Sequence, residues 1–133
     1  MTEIIVPVSP GELVDKMTIL KIKSERMTDA TKLANVHFEL QALQTTWAKS
    51  DFAKIDIAAD EAALHAVNRR LWIIEDDIRD KEHAQEFDVE FIRLARAVYV
   101  ENDERAAIKR RINLKLGSAI VEEKSYRDYK VAT

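Results

Sequence analysis

The chain has 133 residues, 47% of them apolar and 34% charged, a balance that suits amphipathic helices and excludes a disordered chain. A formal net charge of -3 gives no single-sign field to attract nucleic acid or anionic lipid, and the absence of cysteine excludes disulfides and thiolate metal sites. No segment approaches the ~18 consecutive apolar residues of a membrane span, and the first eight residues lack the pattern of a signal peptide. We therefore expect a soluble cytoplasmic protein of one domain, residues 1–133.

Thr2 to Val8 is β-branched and bounded by proline, which predicts an extended segment or edge strand. Ser9-Pro10-Gly11-Glu12 then places a capping serine, a proline in the first helical position and a glutamate in the third, a capping box. A helix should start there and run to about Arg26, with Leu13, Met17, Leu20 and Met27 on one face.

Thr28-Asp29 caps a second helix, in which Leu33, Val36, Leu40, Leu43 and Trp47 alternate steps of three and four. Lys49 to Asp60 loses that pattern and reads as a long connection. Leu64, Val67, Leu71, Ile74 and Ile78 repeat the spacing in a third helix over Glu61 to Glu86, and two like seams invite mutual packing. Asp88 caps a fourth helix that carries Phe91, Leu94, Val98, Ile108 and Ile112 to a C-terminal Gly117. Asn102-Asp103 leaves open whether it is one helix or two. In the tail, 118–133, Ala119-Ile120-Val121 is the stretch that would pair with the N-terminal segment. The fold class is all-α, an antiparallel four-helix bundle with short terminal β pairing.

Bundles build sites from polar side chains on facing helices, so polar residues at stripe positions carry the functional information. In the fourth helix the steps from Leu94 and Val98 land on Glu101 or Asn102 and then Arg105 before Ile108, an interruption of about one and a half turns. Asn68, Glu75 and Glu82 lie seven apart beside the third seam, with Arg79 four after Glu75, and the first helix adds Asp15 and Lys16. A pocket made by Asp15, Lys16, Glu75, Arg79, Asn102, Arg105 and Lys109 would take a small anionic ligand; the bland alternative is a structural ion-pair network.

A second constellation is Asp77-x-x-Asp80 with Glu101-x-x-Glu104, two carboxylate pairs that on facing helices would hold Mg²⁺. It loosely resembles the acidic pairs of the all-helical nucleotide pyrophosphohydrolases, which would imply metal-dependent phosphate hydrolysis. Against it stands a solvated face balanced by Arg79, Lys81, Arg105 and Lys109. Lys109-Arg110-Arg111 suits a helix C-terminal half, and without interleaved aromatics it argues against nucleic acid. His37, His65 and His83 lack zinc spacing, and Trp47 and Trp72 read as core.

Several runs resemble a bacterial and phage family of unknown function: Pro7 to Leu20, Lys32 to Val36, Glu75 to Arg79, Asn102 to Asn113 and Glu122 to Tyr126. The resemblance covers nearly the whole chain and implies a helical domain, found alone or beside glycosyltransferase and tetratricopeptide segments, and thus a link to surface-polysaccharide assembly. It implies no activity. The matching runs contain Asp103, Lys124 and Tyr126, too polar for core packing alone.

The leading expectation is a ligand-binding or accessory domain, self-associating through a leftover seam, whose mixed-charge pocket takes a sugar phosphate or nucleotide sugar without a cofactor. A Mg²⁺-dependent hydrolase and a scaffold without a pocket are the alternatives.

Overall fold

A computed structural model describes residues 2–131; Met1, Ala132 and Thr133, which the expected domain and tail included, lie outside the described residues. Four α-helices follow in order: α1 (Pro10–Arg26), α2 (Ala30–Lys49), α3 (Ala58–His83) and α4 (Val89–Lys115). A single 3-10 turn, Asp51–Lys54, interrupts the link between α2 and α3. They form a helical bundle, as the periodicity requires.

The caps follow the sequence closely. Ser9 accepts from the Glu12 amide at 3.1 Å, Asp29 from Lys32 at 2.9 Å and Asp88 from Phe91 at 3.0 Å. The Glu12 side chain does not close a capping box; it turns to Lys109 at 2.5 Å. Gly117 adopts φ 65°, and Ser118 N–H donates back to the Asn113 carbonyl at 2.9 Å, so α4 ends in a Schellman motif.

α3 starts three residues before the expected Glu61, because Asp56 accepts from the Ala58 amide at 2.9 Å and supplies a start signal from outside the helix. It ends at His83, where Gln85 takes a left-handed φ of 56°. α4 runs unbroken through Asn102-Asp103.

The core joins Leu13, Val14 and Met17 of α1, Leu64, Val67 and Leu71 of α3, and Ile108, Ile112 and Leu116 of α4. The anticipated union of the α2 and α3 seams gives way to a different arrangement. The three-residue link 27–29 folds α2 back on α1, and only Val36 of α2 is buried. Leu40, Leu43 and Trp47 cover the core from outside, half-buried. The α3 seam meets α4 and α1. With α2 on one side and the α3/α4 hairpin on the other, α1 buries more than one stripe: Val14 and Ile22 join Leu13, Met17 and Leu20.

Gly11 of α1 lies against Asn113 of α4 and Lys21 against Glu61 of α3, so α1 traverses the hairpin from one arm to the other. This happens at the end where Arg111 holds Asp60 at 2.7 Å. The far half of the hairpin extends past α1 and leaves Ile73, Phe87, Val89 and Ile92 exposed.

Among the described residues there is no β-strand, so the expected terminal pairing is not formed. Thr2 to Val8 forms no regular element and is exposed, with Ile4 92% exposed. The tail runs back along α4: Glu123 meets Arg110 at 3.1 Å, Lys124 bonds Asp103, and Tyr129 stacks on Tyr99 with centroids 4.9 Å apart. Side-chain partners on α4, met in reverse chain order, hold the tail where a strand partner was expected.

Candidate functional site

The interrupted stripe of α4 turns inward. Asp15 of α1 is fully buried, and Arg105 closes on it with Nε donating to Oδ1 and Oδ2 at 3.0 and 3.1 Å and a terminal nitrogen to Oδ2. Asn68 of α3 donates its Nδ2 to Asp15 Oδ1 at 2.9 Å and to Thr18 Oγ1 at 2.9 Å. Three helices therefore meet on one carboxylate, whose charge in the interior is balanced by a bidentate guanidinium. Asp15 in turn holds the Arg105 guanidinium above its ordinary range, against the opposing effect of burial.

Lys109, one turn further along α4, bonds Glu12 at 2.5 Å and stands 3.9 Å from Asp15 and 3.7 Å from Glu122 of the tail. Ser9 donates to Glu122, which ties the tail to the start of α1. Beside these ion pairs α1 and α4 come very close. The Gly11 amide donates to Asn113 Oδ1 at 2.7 Å, and a Cβ on Gly11 would stand 2.6 Å from the Lys109 carbonyl oxygen. Gly11 is thus needed for the approach of two helices, beyond its place at a helix start.

Two pockets flank this centre and share Asn102 and Arg105 as a wall. The larger, about 610 Å³, lies between α4 and the tail. Arg105, Lys109, Lys124 and Arg127 bring four cations to it, with Asp103 the one carboxylate in its lining, and Tyr99, Tyr126 and Tyr129 add aromatic faces. The partners of Arg105 and Lys109, Asp15 and Glu12, stand on α1 and do not line it. Arg127 forms no ion pair among the described residues. Asp103 is held below the usual carboxylate range by its bond from Lys124, and burial together with Asp103 raises the Tyr129 phenol.

The second pocket, about 370 Å³, lies on the α3 side of Arg105. Glu75, Arg79, Asn102 and Arg105 all line it, so four of the seven ligand residues expected from sequence converge on one concavity. Glu75 and Arg79 also pair with each other along α3. Trp72, expected in the core, is half-buried and forms part of this wall. Asp15 is the buried anchor behind it, and Lys109 belongs to the larger pocket. Lys16 is not brought in: it is exposed and unpaired among the described residues.

The acidic quartet does not gather. Glu101 accepts from Arg70 at 3.0 Å, and among the described residues no three His, Asp or Glu side chains lie where they would hold one metal ion. Asp77, Asp80 and Glu104 are exposed. The basic run is taken up by ion pairs, Lys109 to Glu12, Arg110 to Glu123 and Arg111 to Asp60.

Sequence reasoning missed Thr18, Asn113, Tyr99, Arg127 and Tyr129. Asn113 was within reach, since an asparagine between Ile112 and Leu114 near a helix end is a polar intrusion like Asn102. The tail residues carried no periodic signal.

Among known proteins, the sequence profile of a family of unknown function (DUF6165) matches residues 4–133. No curated protein and no solved structure matches the chain.

Proposed function

The chain belongs to DUF6165, a family of unknown function, and from the geometry of its site we propose that it is a ligand-binding module for a small phosphate-bearing metabolite. The ligand class is a sugar phosphate or nucleotide sugar, seated between α4 and the tail. The observation that carries this reading is the lining of the larger pocket, four cations against one carboxylate, with three tyrosines beside them. Arg127, without an acidic partner among the described residues, is the guanidinium best placed to pair a phosphate in a fork geometry. The tyrosines supply flat apolar faces for a ring. The setting that goes with this reading is a bacterial or phage cytoplasm and a link to surface-polysaccharide assembly, a chemistry that draws on activated sugars.

The test is calorimetric titration and thermal shift with UDP, UDP-glucose and glucose 1-phosphate. At least one should raise the melting temperature, by about 2.7 kcal/mol of added stability at a hundred times Kd. Arg127→Ala should weaken that binding about ten-fold or more, the scale of one charge-assisted pair. Binding unchanged in Arg127→Ala, or no ligand bound at all, would overturn the assignment.

Self-association is a second reading with its own observation. Val89, Ile92 and Val100 fall on one face of α4 and are 82%, 55% and 45% exposed. The metal-dependent hydrolase reading has no gathered carboxylates among the described residues to support it.

A further inference from the structure

Asn68 is 6% exposed, and its two amide hydrogens are spent on Asp15 and Thr18. The direction of the amide is fixed by that carboxylate, which needs a donor. Its carbonyl oxygen, Oδ1, is therefore an acceptor, and it accepts no hydrogen bond from any described residue. No buried side-chain oxygen or nitrogen among the described residues is both occluded and unpartnered, so Oδ1 is not sealed off, and Asn68 lines this concavity. A nearly buried acceptor with no protein donor, on a residue that lines a pocket, is open to a donor from a ligand.

The rest of that pocket is built for the same chemistry. Glu75 and Asp76 add carboxylate acceptors at the rim, and Asn102 adds an amide, while Trp72 supplies an aromatic wall. Its lining carries two carboxylates and two guanidiniums, a formal balance of zero, and Asp15 already neutralises one of the guanidiniums from behind. The neighbouring pocket beside the tail is lined by four cations and one carboxylate; Asp15, Glu12 and Asp103 pair three of those cations, and Arg127 is in no ion pair among the described residues. A neutral ligand with several donors suits this lining. A free ammonium would meet Arg79 and Arg105, and an anion would meet Glu75 and Asp76.

We infer that the pocket between α3 and α4 is a sugar subsite, in which Asn68 Oδ1 and the carboxylates of Glu75 and Asp76 accept from neighbouring hydroxyls of a neutral ring packed on Trp72. A few placed polar groups beside an apolar wall are what a specific small-molecule site requires. Asn102 and Arg105 line both pockets, so a ligand that spans them would set its phosphate on the tail side and its sugar on the α3 side. That composite ligand rests on the phosphate-binding reading above; the sugar subsite by itself does not.

Two measurements keep the inferences apart. Methyl glycosides of glucose, galactose, mannose and N-acetylglucosamine, which carry no phosphate, are titrated into ¹⁵N-labelled protein. At least one should shift the Trp72 indole N–H and Asn68 side-chain amide signals, with Trp72→Phe identifying the indole resonance. Asp76→Asn and Glu75→Gln, both at the rim, should abolish those shifts, whereas Arg127→Ala should leave them in place. In calorimetry UDP-glucose should bind about ten-fold more tightly than UDP, and Asp76→Asn should remove that difference without weakening UDP. Glycosides that shift neither signal, or shifts and a UDP-glucose preference that survive Asp76→Asn, would overturn the sugar subsite. Glycoside binding with no UDP binding would leave the subsite standing and sink the phosphate site.

Discussion

Arg105 is worth most where water is least. Its partner Asp15 is fully buried, so removing the guanidinium leaves a carboxylate in the interior with one amide donor and a lysine nitrogen 3.9 Å away. Arg105→Ala should destabilise by about 3 kcal/mol, the usual consequence of breaking a buried pair from one side. Pairing it with Asp15→Asn should cost less than the sum of the two single changes. Urea unfolding of the four proteins measures both; a loss below about 0.5 kcal/mol would place Arg105 among ordinary surface residues. At Gly11 the argument is steric. A methyl group would press on the backbone carbonyl of Lys109, which cannot swing aside as a side-chain tip does. Gly11→Ala should therefore lower stability by about 2 kcal/mol despite alanine's better helix propensity, read from the same unfolding curves.

Among the elements, the tail differs in kind from the helices. Its described residues bury little, and its attachment to α4 consists of ion pairs, hydrogen bonds and one stacked tyrosine pair. Such a segment should respond to pH more than the core does. Asp103 has a lowered pKa in the docked state, so its share of the docking is present above the ordinary carboxylate range and is lost as pH falls through the lowered value. Tyr129 has a raised pKa, so its share is present below the ordinary phenol range and is lost as pH rises through the raised value. The tail should accordingly stay docked across neutral pH and release in strong acid and in alkali, with cleavage after Lys124 or Arg127 by a protease active in each range as the assay. In a spectroscopic titration, Tyr129→Phe should remove a tyrosine that ionises above the ordinary phenol range. Equal cleavage at every pH would show that these groups do not hold the tail.

At the scale of the molecule, α1 joins the two arms of the hairpin at one end only, and the other end projects with a row of uncovered apolar residues. If that row is a contact between copies, light scattering should give a mass above the 15.3 kDa of one chain, and Ile92→Glu should return it to one chain's mass with the melting temperature unchanged. A single-chain mass for the unmodified protein at all concentrations would remove the self-association reading.

The helices were legible because each obeys a local rule. A side-chain cap at Ser9, Asp29 or Asp88, a glycine at 117, and apolar residues every three or four positions act through neighbours in the chain. The inward turn of Asn102 and Arg105 was legible for the same reason, since a polar residue on an apolar stripe must find a partner wherever the helix packs. The identity of the partner was not legible, because Asp15 lies ninety positions away and its meeting with Arg105 depends on how α1 traverses the hairpin. Nor was the course of the tail, whose cations and tyrosines become a pocket wall only against α4. Helix boundaries and buried polarity thus follow from interactions a few residues apart, whereas which helix faces which, and the two pockets on either side of Arg105, are set by packing surfaces together in three dimensions.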